Sequence, residues 1–469
     1  MTLISVDTLT TLGNFISTLA GFVTAGLLLA MGFLLFDIAG KLSKSASDLR
    51  SYTFAASILW ATGEALNILA TLANILGSSI SGAFDSTSIR SFVTQISLGK
   101  YMMAQLCIAL LVAGTILQVK RIITTNLLLA LSIIALVLPV FESHSASSGS
   151  HSLAIGSLVV HVVALSFWVG GLIAITALSS VDRATALPRF SALALWSVVA
   201  VVASGSANAW ARLNFADAWD SGYARLVLLK VGFTFLLIYF GYVNRRHLSG
   251  KLQLKAPQLA RLISAEVLIL ILTVFAGSRL SQLQPPERFV ETPFDPGLAI
   301  TGIATPPAPN FWRILTAYDP DALMIGLLVT AVALYVKGVV ILSRRGVKWP
   351  VGRTISFALG ISAIDFATSG GLGVYAKFSF EYHMVAHMML GMIAPIGIVL
   401  SAPITLALRT LPQGRNESER GVRGTLIVLL HSRVSAIFTN PITVLAIFDG
   451  SLFVLYMTPL FENMMQSHL

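Results

Sequence analysis

A single cysteine, Cys107, lies within an apolar stretch, which excludes an intrachain disulfide and any paired-cysteine metal or redox motif. Charge is equally scarce: 11% of the 469 residues are Asp, Glu, Lys or Arg, against 55% hydrophobic, and the mean hydropathy is +0.82. A soluble globular domain carries about 25% charged residues, so that class is excluded. Missing too are a nucleophile paired with its base, a phosphate-binding loop and paired catalytic carboxylates, so a non-enzymatic protein is expected. The first apolar run, about residues 15–40, has no basic n-region before it and is too long for a signal h-region; it counts as a membrane span.

What the sequence does contain is a series of runs long enough to cross ~30 Å of hydrocarbon. Twelve spans are expected, at about 15–40, 52–77, 101–119, 122–141, 157–178, 190–211, 225–243, 260–279, 322–342, 354–371, 383–408 and 441–461. The fold class is therefore an all-α polytopic membrane protein of about 12 transmembrane helices in a lipid bilayer. Basic residues gather in alternate connections, among them Lys41, Lys44 and Arg50, then Lys120 and Arg121, and later Arg345, Arg409 and Arg423. Roughly 22 of the 31 Lys and Arg fall on one side, which the positive-inside rule makes cytoplasmic, with the N-terminus extracytoplasmic. The net charge of +10 is thus topology, and no nucleic-acid partner is expected.

This topology sorts the histidines. His144 and His151 fall in the outer loop before the fifth span, His161 about one turn into it, His383 and His387 at the outer start of the eleventh, and His468 beyond the twelfth. On a helix His383 and His387 share one face, with Met384, Met388 and Met392 as an adjoining stripe. Imidazole beside thioether suits a soft metal, copper above all; the alternative is apolar filler with polar interface histidines.

A charge inside a span costs a few kcal/mol unless it faces a partner or water. Glu64, Glu266 and Asp449 lie deep, Lys230 and Asp365 nearer an outer end, and Asp37, at a cytoplasmic end, is expected to snorkel. His161, Lys230, Asp365 and His387 then share the outer leaflet, either as a polar pocket or as separate ion pairs such as Lys230 with Glu266. Residues 281–318 are rich in proline and read as an extended extracytoplasmic linker between an eight-helix unit, 1–280, and a four-helix unit, 319–469.

Two resemblances follow from motifs. The succession from His161 through Trp168 to Leu172, then Ser204 to Trp210, Gly222 to Lys230, Tyr242 to Arg246, and Glu266, resembles the CopD copper-resistance family over about residues 140–280. Lys348 to Arg353, Phe366 to Leu372, His383 to Leu390, Ala394-Pro395, Ala402 to Leu406, Asn440-Pro441 and Tyr456 to Leu460 resemble the CtaG cytochrome c oxidase assembly factors over about 319–469. Together they look like the fused membrane proteins of actinobacterial type.

The resemblance implies copper handling at the outer face of the bacterial plasma membrane: uptake or transfer of copper and its delivery for oxidase assembly. It implies cytochrome c oxidase subunits or other respiratory-chain components as partners, with an extracytoplasmic copper chaperone. Copper, as Cu(I), would meet His144, His151 and His161 in the first unit and His383 and His387, with Met384 or Met388 and with His468 as a further candidate ligand, in the second. Proteins of the CtaG type continue past the position of His468 into further histidine-bearing helices, so a C-terminal truncation is expected. A rival from another class is a membrane electron-transfer subunit with haem b between His161 and His383; a third is a metal-free oxidase assembly scaffold. His383 with His387 on one helix cannot approach one iron from opposite sides.

Overall fold

A computed structural model describes residues 5–142, 151–213, 221–248, 256–283, 295–414 and 419–459. The chain divides into two units, Met1–Val290 and Glu291–Leu469. Among the described residues ten helices are long and apolar enough to cross a membrane. At the two other expected spans, 354–371 and 441–461, stand helices of 18 residues, carrying Arg353 and Asp365, and of 17 residues.

The first unit comprises α1 (Val6–Leu29, ending in a π turn over Ala30–Leu34), α2 (Lys44–Leu76), α3 (Ser86–Gln95), α4 (Ser97–Ile116) and α5 (Ile122–Val137). It continues with α6 (His151–Leu165), a π turn over Ser166–Gly170, α7 (Gly171–Thr176), α8 (Ser180–Arg212), α9 (Gly222–Leu248) and α10 (Ala256–Leu280). Helix α1 is its axis: 67% of its most apolar stretch is buried, against 6% for α9, which turns its apolar side chains outward. Phe22, Leu28, Met31 and Trp60 fill the core around it. Small residues bring the backbones together, as in other membrane helix crossings. A Cβ on Gly26 would collide with the carbonyl of Gly170, so Gly170 admits α1 as its close neighbour, while Gly171 faces the Phe190 ring of α8.

At one end of this unit a two-residue hairpin, β1 (Asp37–Ile38) and β2 (Lys41–Leu42), turns through Ala39 and Gly40, both at positive φ as a tight hairpin requires. Asp37 does not snorkel. It is buried, and its carboxylate accepts the Gly40 N–H at 2.7 Å. The Leu42 N–H donates to the Lys120 carbonyl at 2.9 Å, Arg50 donates to the carbonyls of Leu117 and Val119, and Arg189 to that of Leu35. Three basic connections thus meet at one end of the bundle.

The second unit comprises α11 (Pro296–Thr301), α12 (Phe311–Thr316), α13 (Ala322–Arg344), α14 (Val351–Thr368), α15 (Gly371–Ala376) and α16 (Phe380–Met388). After a π turn over Met389–Ile393 follow α17 (Ala394–Leu400), α18 (Pro403–Thr410), α19 (Gly421–Leu430), α20 (Arg433–Phe438) and α21 (Pro441–Met457). Its core is a stacked set in which the Trp349 Nε1–H donates to the Tyr335 hydroxyl at 3.1 Å and that hydroxyl to the Ser401 carbonyl at 3.2 Å. Phe357 stacks on Tyr335 at 3.9 Å, and the Arg353 guanidinium lies over Trp349.

The Pro-rich stretch departs from the extended linker expected of it. Over 295–318 it folds into α11 and α12 and is tied to the unit by a hydrogen bond from the Tyr375 hydroxyl to the Pro307 carbonyl, 2.9 Å. Side-chain caps overcome the proline content: Asp295 accepts from the Thr305 hydroxyl at 2.5 Å and from the Thr305 and Gly297 N–H groups at 2.8 Å, while Pro296 sits where a helix needs no N–H. Thr305 above all holds the Asp295 carboxyl below the ordinary carboxylate range. A lowered folded-state value stabilises at pH above the unfolded value, about 3.9, and that stabilisation is lost as pH falls through the lowered value. Hydrogen-exchange protection of 295–305, corrected for intrinsic rate, is therefore expected to hold from pH 7 to 5 and to fall below about pH 4. Asp295→Asn should abolish that dependence; an unaltered profile in the variant would rule out Asp295 as its source.

Candidate metal sites

Helix α16 is capped by Ser379, whose carbonyl accepts the His383 N–H at 3.0 Å, and one turn later His387 meets His383 edge-to-face. Their Nε2 atoms are 3.1 Å apart and the ring centroids 4.6 Å, with the rings inclined at 68°. One ring N–H therefore points at the other ring's lone pair, and a metal ion can replace that shared proton. With metal–imidazole bonds of about 2.0–2.1 Å, this separation gives an N–metal–N angle of roughly 100°. That is a chelating angle; a linear or trans-axial pair would need about 4 Å between the nitrogens.

Met384 is half-buried and Met388 exposed on the adjoining stripe. The π turn beginning at Met389 breaks the α-helical spacing that would continue the stripe to Met392. Among the described residues no third His, Cys, Asp or Glu joins the pair in a metal-holding group. Asp365 instead accepts the Tyr318 hydroxyl at 3.1 Å, and Asp449 lies on the exposed surface of α21. His144 and His468 fall outside the described residues, and of His151 only the backbone, as the first residue of α6, is described.

In the first unit a chamber of about 910 Å³ opens between the helices, and His161, Lys230 and Glu64 all line it. His161 Nδ1 is 3.0 Å from the Ser204 hydroxyl. That hydroxyl lies 2.6 Å from the Ala200 carbonyl and 3.2 Å from that of Val201, which also faces the imidazole, so the acceptors around Nδ1 favour a ring N–H there. With the proton at Nδ1, Nε2 carries the lone pair a metal needs. Glu64, 1% exposed, accepts from the Ser17 hydroxyl at 2.5 Å, with Gln105 behind Ser17 at 3.4 Å and Asn67 facing the same carboxylate. Its Oε1 has no full hydrogen bond among the described residues.

Lys230 extends beside Gly277, where a Cβ would come within 3.5 Å of its Nζ. The alternative Lys230–Glu266 ion pair does not form: Glu266 accepts from the Asn244 side-chain amide at 2.6 Å instead. The structure thus brings His161, Lys230 and Glu64 to one wall system and leaves Glu266 elsewhere. Sequence reasoning misses Ser17, Asn67 and Gln105, whose one signal is an uncharged polar residue within an otherwise apolar span, and it meets Ser204 only as the start of a motif, not as a partner of His161.

Comparison with known proteins places these features in three stretches. Residues 8–153 match the family model for the copper resistance protein D-like N-terminal domain, residues 184–280 that for copper resistance protein D, and residues 333–469 that for the cytochrome c oxidase caa3 assembly factor, Caa3_CtaG. An uncharacterized protein of Mycobacterium tuberculosis is 37% identical over 181 residues, covering 39% of this chain and 27% of the relative. One of Mycobacterium leprae is 35% identical over 186 residues, 40% of this chain and 28% of the relative. The matched part is therefore little more than a quarter of those relatives' length. No solved structure matches the chain. The chain is a multi-pass bacterial plasma-membrane protein that joins a copper resistance protein D-like N-terminal portion to a C-terminal portion of the Caa3_CtaG type.

Proposed function

We propose that this protein carries copper as cargo at the outer face of the plasma membrane: the first unit admits the ion through the chamber lined by His161, and the second holds it at His383 and His387 for delivery to a cytochrome c oxidase during assembly. The observation that carries this reading is the pair of Nε2 atoms 3.1 Å apart, within the portion that matches an oxidase assembly factor. Two imidazoles at a chelating angle leave room for a thioether from Met384 or Met388, a donor set that selects Cu(I). A carrier needs such a site to be open and incomplete, because the receiving protein must supply ligands in turn. The exposure of His387 and Met388 supports that role.

Metal analysis of the purified full chain, loaded with copper under reducing conditions, tests the proposal. Stoichiometric copper without a Soret band is expected. A Soret band with reduced α and β bands would replace copper by haem b, and neither metal would leave a scaffold.

The chamber makes a separate prediction. Ser204→Ala removes the hydroxyl 3.0 Å from His161 Nδ1, and loss of such a partner typically lowers metal affinity about 10–100-fold. Measured in a background carrying His383→Ala and His387→Ala, so that only the first unit reports, Cu(I) affinity should fall by that factor. An unchanged affinity would remove His161 from the pathway.

A further inference from the structure

We propose that the second unit binds the phosphate headgroup of an anionic phospholipid between Arg345, Arg409 and Arg423. These arginines come from three elements, the end of α13, the last turn of α18 and the first turn of α19, and line one pocket of about 620 Å³. Positive-inside bias accounts for arginines at these helix ends. It does not account for their convergence on one concavity whose described lining contains no acidic side chain. Glu419, the nearest described acid in sequence, is buried and is not part of the lining.

Two of the three guanidinium groups are held in place. Arg345 Nη1 donates to the Arg409 carbonyl at 2.9 Å, and Arg423 Nε donates to the Leu408 carbonyl at 2.8 Å. Both acceptors lie at the C-terminal end of α18, the negative end of its dipole, which steadies the cations without neutralising them. Each of these bonds uses one of the five N–H donors of its arginine. The rest remain for an anion, and the planar fork suits phosphate oxygens bidentately.

Several observations favour a lipid over a soluble phosphate. The pocket sits where the candidate spans Ala322–Arg344 and Phe380–Thr410 end, and the basic ends of membrane spans lie among headgroups. Its other walls are apolar, from Leu342, Val347, Leu411 and Pro412. Val347 and neighbouring Val422 are 42% and 51% exposed, surface that acyl chains would cover. Basic pockets between membrane helices are known to take such headgroups, with each cation worth about 1 kcal/mol, or roughly fivefold.

The test uses the full chain in bilayer discs of mixed phosphatidylglycerol and phosphatidylcholine, with retained lipid counted by native mass spectrometry. Wild-type protein should keep phosphatidylglycerol preferentially. The combination Arg345→Gln, Arg409→Gln and Arg423→Gln should lower that preference roughly hundredfold, while Arg433→Gln, outside the pocket, leaves it unchanged. Arg345 and Arg423 also cap α18, so Arg409→Gln alone guards against misfolding and should cost about fivefold. Full retention in these variants would overturn the site. Displacement of the lipid by inorganic phosphate would reassign the pocket to a soluble ligand and equally end the lipid proposal.

Discussion

Replacing His383 and His387 together by Ala should abolish copper binding by the second unit and sharply reduce assembled oxidase in cells that depend on this protein. Loss of a partner that merely orients a ligand lowers metal affinity about 10–100-fold; loss of both imidazoles removes the only nitrogen donors the described site has and should exceed that. The pair is also non-additive by construction, since one imidazole alone, on a half-exposed helix, offers a metal no chelate. His383→Ala and His387→Ala singly should therefore each remove most of the affinity. Folding is a minor concern: His387 is exposed and His383 half-buried, and surface substitutions usually stay within about 0.5 kcal/mol. Copper per chain and the oxidase haem spectrum are the two readouts. Unchanged copper in the double variant would refute the site, whereas lost copper with normal oxidase would keep the site and refute delivery.

This pair is legible in the sequence because its geometry is local: a spacing of four on a helix brings two side chains together whatever the tertiary fold. The same holds for Gly170-Gly171, whose lack of side chains announces a close crossing, though not that α1 is what crosses. His161 shows where legibility stops. Its partner Ser204 lies 43 residues away on another helix, and nothing in either segment names the other. Glu64 stands out as a costly buried charge, yet its surroundings of Ser17, Asn67 and Gln105 come from three helices and depend on the packing of α1 against α2 and α4. Lys230 and Glu266 look like natural partners on charge alone; Asn244, nearer along the α9–α10 pair, takes the carboxylate. The departure over 295–318 has a different cause: proline content argues for an extended chain, while the capping ability of Asp295 and Asn310 overrides it.

Gly26→Leu should prevent the first unit from folding stably, although helix propensity argues the other way. In an isolated helix, replacing Gly by Leu is favourable by somewhat less than 1 kcal/mol. At Gly26, however, the first added carbon would occupy the carbonyl of Gly170, and backbone cannot rotate aside as a side chain can. The two helices must separate, which opens the most buried helix of the unit and strips contacts from Phe22, Leu28 and Trp168 at once. Overpacking typically costs about 1–3 kcal/mol even where side chains can give, and here they cannot. Gly232 and Gly241 on α9 provide the control, since a Cβ at either meets nothing within 4 Å. Leu at those positions should leave the midpoint of thermal unfolding in detergent unchanged or slightly raised, whereas Gly26→Leu should lower it by many degrees. The π turn that carries Gly170 follows directly on the helix that carries His161, so any Gly26→Leu protein that survives should also lose copper from the chamber. Equal midpoints for Gly26→Leu and Gly232→Leu would show that the α1 crossing is not what holds the unit, and the chamber walls would then owe their spacing to other contacts.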